Sequence, residues 1–139
     1  MKCRDVMTEN PICCAAYDSV GQAARVMRRE RVGSIPVVTD DLKKELIGVI
    51  TDRDLAYKVV GESRDPIRTQ VYDVMTAAAV ACRDDDDVIV AFRAIEEHQL
   101  SMLPVMDYSG RLVGVISESD IAVRVPPTMQ LVRDLGQAA

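Results

Sequence analysis

Leu46-Ile47-Gly48-Val49-Ile50-Thr51-Asp52-Arg53-Asp54 and Leu112-Val113-Gly114-Val115-Ile116-Ser117-Glu118-Ser119-Asp120 carry one pattern, Gly-Val-Ile-(Thr/Ser)-x-x-Asp, at an offset of 66 residues. Ahead of each copy the likeness continues. Ile35-Pro36-Val37-Val38 returns as Leu103-Pro104-Val105-Met106 at an offset of 68. Val20, Ala23, Ala24 and Met27 return as Val88, Ala91, Phe92 and Ile95, and Val6-Met7-Thr8 returns as Val74-Met75-Thr76, also at 68. The change of two residues falls in a polar loop, Thr39 to Glu45 in the first copy and Asp107 to Arg111 in the second, where length changes are tolerated. Four blocks in register mark a duplication, which must be recognised before any fold is assigned.

Each copy reads as β-α-β-β-α. Val20, Ala23, Ala24 and Met27 fall at i, i+3, i+4 and i+7, the apolar stripe of an amphipathic helix. Ser19-x-x-Gln22 supplies a capping box at its start, and Asp87 takes the cap position in the second copy. Ile35 to Val38 and Leu46 to Thr51 are short β-branched runs around a polar loop, which predicts two antiparallel strands. Pro36 and Pro104 lack an N–H and are expected at a strand start or sheet edge. A second helix is predicted from about Asp52 to Val60, stopped by Gly61, and from Glu118 to Val125, stopped by Pro126-Pro127. Short extended stretches near Ile12 and Val80 precede the first helices. The expected fold class is α/β of the α+β type: two β-α-β-β-α modules, 1–66 with the N-terminal segment and the start of the linker, and 67–139 with the C-terminal tail. Glu62 to Gln70 forms the polar linker.

Composition narrows the function. The chain has 139 residues, 48% hydrophobic and 28% charged, enough for a core but little for two modules that fold separately. A net charge of −5 argues against nucleic acid as a partner, because a binder needs a basic surface to neutralise phosphates. No run approaches the roughly 20 apolar residues of a membrane span, and the charged start is not followed by the apolar stretch of a signal peptide. These features point to a cytoplasmic location. Cys3, Cys13, Cys14 and Cys82 lack metal-ligand spacing and are expected to be reduced, packed thiols, so no metal site is assigned. Asp84 to Asp87 reads as a solvated charge cluster at a helix start, and His98 as a helix-end surface histidine. The tail from Thr128 to Ala139, with Met129, Leu131, Val132 and Leu135, could form a short helix on a partner. No nucleophile with its base, paired acid and base, or Walker loop is recognisable, so no catalytic residues and no enzyme activity are expected.

Val-Met-Thr, a hydrophobic-Pro-Val strand and Gly-Val-Ile-(Thr/Ser)-x-x-Asp, in that order and duplicated, resemble a tandem pair of CBS domains, the regulatory modules named after cystathionine β-synthase. The resemblance covers nearly the whole chain up to Val125. It implies two modules packed into a pseudo-twofold pair, with two clefts that take an adenine nucleotide (AMP, ADP or ATP) or S-adenosylmethionine as a regulatory ligand. No cofactor is required. It further implies a homodimer of such pairs and an unidentified regulated protein as partner. A ligand-free dimerisation or scaffold module is the alternative.

The residues themselves suit such a ligand. Asp54 and Asp120 each offer a carboxylate able to accept both hydroxyls of a ribose, three residues after the hydroxyls of Thr51 and Ser117. The same residues read equally as helix N-caps with first-turn acids complementing the dipole. By the resemblance, one cleft would join Asp54, Thr51, Arg53 and Ser34 to Val80, Leu100 and Ser101. The other would join Asp120, Ser117, Ser119 and Met102 to Ile12, Val32 and Gly33. Ile12, Val32, Val80 and Leu100 could equally be core residues. Arg53 corresponds to Ser119, so only the first copy sets a guanidinium, able to grip a phosphate, beside its hydroxyl. In solution that arginine could simply be solvated or pair with Asp52. The expectation is therefore two clefts of unequal charge.

Overall fold

The computed structural model describes residues 1–77 and 80–128. In chain order the elements are α1 (Cys3–Val6), β1 (Thr8–Glu9), β2 (Cys14–Ala15), α2 (Val20–Glu30), β3 (Ser34–Val38), β4 (Leu46–Thr51) and α3 (Asp52–Asp54), which runs on as a π-helical stretch, Leu55–Val60. There follow α4 (Val71–Val74), β5 (Thr76–Ala77), β6 (Cys82–Arg83), α5 (Val88–His98), β7 (Met102–Met106), β8 (Leu112–Ser117) and α6 (Glu118–Arg124). The duplicated β-α-β-β-α reading is therefore present in a mixed α+β fold with two four-stranded sheets, ordered β2-β3-β4-β5 and β1-β8-β7-β6. The tail helix expected around Met129 to Leu135 lies outside the described residues.

Two compact units emerge, and they exchange their N-terminal segments. One contains residues 12–77 with Gly110–Leu112, and the other contains Met1–Pro11, Val80–Ser109 and 113–128. Helix α4 sits in the first unit because Val71 and Val74 are buried with Val20, Ala23, Met27, Ile35, Val37 and Ile50. Helix α1 sits in the second because Cys3 and Val6 are buried with Val88, Phe92, Leu103 and Ile116. Burying such aliphatic side chains is worth roughly 1.5–3 kcal/mol each, enough to hold a four-residue helix that would not form alone. Backbone bonds secure the exchange: Val71 N donates to Asp18 O (2.8 Å) and Tyr72 N to Ala16 O (2.9 Å), while Cys3 N donates to Asp86 O (2.9 Å). The linker is partly structural too, since Val20 N donates to Thr69 O and Gly21 N to Pro66 O.

The capping box at Ser19 and Gln22 forms as its spacing predicts, and Asp87 caps α5 through Ile89 N at 3.0 Å. Strands β3 and β4 pair antiparallel, with a bulge where Val38 faces Leu46 after Val37 faces Gly48. The proline expectation holds only locally. Pro36 is the third of five residues in a strand with neighbours on both sides. Gly33 O points to β4, accepting from Asp52 N, and Val38 O points to the β2 side, accepting from Ala16 N. Strand alternation then turns Pro36 towards β2, which pairs only with Val37 and Val38, so no ladder bond is lost. Pro104 occupies the equivalent place in β7, beside a β6 that reaches only Val105 and Met106.

The duplicated glycine has a steric cause. A Cβ on Gly48 would lie 2.6 Å from Thr76 O and 2.9 Å from Met75 Sδ; on Gly114 it would lie 2.5 Å from Met7 Sδ and 3.0 Å from Thr8 O. The Gly of one motif thus exists to admit the Met-Thr of the other motif against its strand. Gly48→Ala is expected to cost about 1–3 kcal/mol in urea denaturation, because its obstacle is backbone. Gly114→Ala should cost less, because the Met7 side chain can swing aside. Equal and near-zero effects would contradict this packing.

All four cysteines are free thiols, with Cys3, Cys14 and Cys82 buried. Burial, reinforced by the charge of Asp18, pushes the Cys14 thiol up to about 12. A raised pKa means less thiolate at pH 8, so iodoacetamide should label Cys14 far more slowly in the folded chain than in urea, with the rate rising as pH climbs towards 12. Labelling at the unfolded rate, followed by mass spectrometry of the Cys14 peptide, would contradict the burial.

Candidate functional site

Each Gly-Val-Ile strand delivers its hydroxyl residue to the cap position of the following helix. Thr51 Oγ1 accepts from Asp54 N (3.1 Å) while Asp54 Oδ2 accepts from Thr51 N (3.0 Å). Ser117 and Asp120 repeat this with Ser117 N to Asp120 Oδ2 at 2.9 Å. The helix-capping reading of the motif is therefore real. It does not account for everything, because both carboxylates are buried, at 7% and 9% exposure, and a buried charge needs partners.

Those partners come from residues that sequence reasoning did not single out. Lys58 Nζ lies 3.0 Å from Asp54 Oδ1 and also donates to Val74 O at 3.0 Å. Arg124 lies 3.7 Å from Asp120 Oδ1 and donates to Val6 O (3.0 Å) and Met7 O (2.5 Å). In each unit one cation, four residues after the aspartate, bridges the carboxylate and the C-terminal carbonyls of the exchanged short helix. Thr8 Oγ1 donates to Asp120 Oδ1 at 2.7 Å, and Thr76 Oγ1 approaches Asp54 at 3.4 and 3.5 Å. The signal for these was present in the repeat: Thr8 and Thr76 close the Val-Met-Thr block, and Lys58 and Arg124 share the offset of 66.

Around Asp54 the first unit gathers Gly33, Ser34, Thr51 and Arg53. Ser34 faces Thr51 across the β3–β4 pair, and Gly33 O accepts from Asp52 N at 2.9 Å. A Cβ on Gly33 would stand 3.0 Å from Asp52 Oδ2, so a side chain here would press on the Asp52 carboxylate. Asp52 uses its carboxylate on the Arg53 backbone N–H (2.8 Å), and the Arg53 guanidinium lies over the Tyr57 ring, 5.9 Å from its centroid. Ile12 and Val32 belong to the same unit and are exposed, at 43% and 40%. In the second unit, Ser119 Oγ is tied to Ser117 Oγ at 2.8 Å, Met102 opens β7 half-buried, and Ser101 is exposed. Val80 and Leu100 are half-buried against that unit's core. Thus Ile12, Val32, Gly33, Ser34, Thr51, Arg53 and Asp54 share one unit, while Val80, Leu100, Ser101, Met102, Ser117, Ser119 and Asp120 share the other.

The acidic run is used structurally. Asp86 accepts from Arg83 N (2.8 Å), Asp87 caps α5, and the Asp84 and Asp86 carbonyls receive Arg4 N and Cys3 N. Among the described residues no group of three or more His, Cys, Asp or Glu is arranged to hold a metal, and no helix is long and apolar enough to cross a membrane. His98 is exposed in the last turn of α5.

Comparison with known proteins agrees with this architecture. Protein MK0525 of Methanopyrus kandleri is 31% identical over 118 residues, covering 85% of this chain but only 57% of that protein. The crystal structure of Hypoxic Response Protein I, with two coordinated zinc ions, superposes with a TM-score of 0.81 at 28% identity, covering 91% of this chain and all of that one. The structure of CBSX2 in complex with AMP gives 0.73 at 25% identity, covering 94% and 97%. The CBS domain pattern itself matches twice, at residues 3–61 and 71–126. With both copies of the repeat matched and almost the whole chain covered, the protein belongs to the CBS domain family.

Proposed function

We propose that this chain is a regulatory module that senses an adenosine-containing nucleotide, AMP foremost, and passes the binding event to a partner protein by a change of conformation. The observation that carries this reading is the buried carboxylate at each strand-to-helix junction, together with the exposure of Ile12 and Val32, which the sequence reading assigns to a base-binding surface. A carboxylate suits a ribose diol, and exposed apolar side chains suit the face of a base. The AMP held by the similar CBSX2 supports the choice of ligand. S-adenosylmethionine shares the adenosine half and would use the same groups.

Thr51, Arg53, Asp54 and Ser34 form the ribose and phosphate end of one site; Ser117, Ser119, Asp120 and Met102 form that of the other. Ile12, Val32 and Gly33, and Val80, Leu100 and Ser101, supply the surfaces against which the base lies. We further propose that the working species is a cytoplasmic homodimer of the paired 1–66 and 67–139 modules, without catalytic activity. A ligand shifts a conformational equilibrium only by its differential affinity for the two states, so the regulated protein must read a state that nucleotide favours.

A thermal-shift series with AMP, ADP, ATP and S-adenosylmethionine tests the reading. Ligand at 100 times its dissociation constant stabilises by about 2.7 kcal/mol. A flat response to all four would favour a ligand-free scaffold instead. The Arg53–Ser119 difference makes a second demand. Calorimetric titration should show Asp54→Asn losing more affinity for ATP than for AMP, and Asp120→Asn the reverse. Identical losses in both variants would remove the assignment of charge preference.

A further inference from the structure

The two aspartates are not equally available. Asp120 Oδ2 receives Ser117 N and Ser117 Oγ, both at 2.9 Å, and its Oδ1 receives Thr8 Oγ1 at 2.7 Å with Arg124 at 3.7 Å. A carboxylate has about four acceptor positions, so this one is close to fully engaged. Among the described residues, Asp54 is firmly engaged only by Thr51 N and Lys58, each at 3.0 Å. Its Thr76 contacts, at 3.4 and 3.5 Å, fall outside the roughly 2.5–3.0 Å of a formed O–H···O bond. The copies share their residues at this point, Thr8 with Thr76 and Asp120 with Asp54. What differs is whether the threonine is closed on the carboxylate.

We infer that Thr8 sets the affinity of the Asp120 end: its hydroxyl occupies the acceptor position that a ribose needs, so nucleotide binds there more weakly than at Asp54 and must displace Thr8 to bind. This rests on the reading of the two aspartates as ribose acceptors. The displaced group is not an isolated side chain. Thr8 begins β1, which pairs with β8 through Thr8–Val115 and Glu9–Gly114, and the preceding Met7 packs on Gly114. Binding at Asp120 therefore loosens an N-terminal segment from its unit, whereas binding at Asp54 meets a threonine already withdrawn.

Two methionines report on the two ends separately, since Met7 Sδ lies against Gly114 and Met75 Sδ against Gly48. The full chain with 13C-labelled methionine methyls is titrated with AMP, and with ATP, and followed by NMR. In the unmodified chain the Met75 signal should respond at lower nucleotide concentration than Met7. Thr8→Val should lower the Met7 midpoint about tenfold, the worth of one released hydrogen bond to a charged group, and leave the Met75 midpoint within about twofold. Thr8→Ser should keep the original Met7 midpoint, and Thr8→Ala serves as the hydroxyl-free variant should Thr8→Val unfold. An unchanged or raised Met7 midpoint on losing the hydroxyl, with Met75 still titrating, overturns the inference alone. Silence of both methionines in all variants overturns the nucleotide reading, and the inference with it.

Discussion

The structure turns on a buried carboxylate that ties three pieces of chain together. Asp54 closes the cap of its own helix through Thr51, holds Lys58 one turn later, and through that lysine reaches the Val74 carbonyl of the exchanged segment. Asp120 does the same through Ser117, Arg124 and the Val6 and Met7 carbonyls. A charge taken out of water is costly until every acceptor position is met. Asp120 meets them with Arg124 and with Thr8 from the other copy of the repeat, and Asp54 with Lys58 at 3.0 Å while Thr76 stands further off. The carboxylate thus specifies which segment may dock, a task that aliphatic packing alone does poorly.

This explains why the repeat is read in an interleaved way. The small helices α1 and α4 have four residues each and no stability of their own. Each brings two buried side chains, a methionine that needs a glycine opposite it, and carbonyls that need a cation. Val-Met-Thr and Gly-Val-Ile-(Thr/Ser)-x-x-Asp are complementary halves of one contact, and duplication placed the halves in different copies. Neither compact unit is complete without the chain's other half, as expected where half-length modules would be marginal alone.

Helices α2 and α5, the β3–β4 pair and both cap residues were legible because their signals are local: apolar period, turn composition and a hydroxyl three residues from an acid. The short elements escaped for the opposite reason. Nothing in Cys3–Val6 or Val71–Val74 favours a helix until Val6 or Val74 finds its core. The π-helical Leu55–Val60 escaped as well, since its extra residue per turn leaves no mark on a pattern of nine residues. Pro36 and Pro104 misled a rule about whole strands, because an edge can be as short as the residues a neighbour fails to cover. At the site, Asp54 and Asp120 were readable from the duplicated motif, but Thr8, Thr76, Lys58 and Arg124 need the fold to reveal what they touch.

Duplicated sites drift apart through small changes in what surrounds a fixed group, and here the drift has a direction. The first copy keeps a lysine against its aspartate, an arginine lying over Tyr57, and exposed Ile12 and Val32. The second has an arginine set further from its aspartate, Ser119 bonded to Ser117, and Val80 and Leu100 drawn onto the core. The cations run the other way, Lys58 standing closer to its aspartate than Arg124, but the Thr8 hydroxyl, the serine pair and the core-packed apolar side chains leave the surroundings of Asp120 the more committed. On the proposed nucleotide reading, a ligand would have no threonine to displace at the first, and its free energy of binding there would go into contact. At the second, part of it would go into displacing Thr8. A pair built this way would separate occupancy from response, since the end that binds with least disturbance would not be the end whose filling moves the chain.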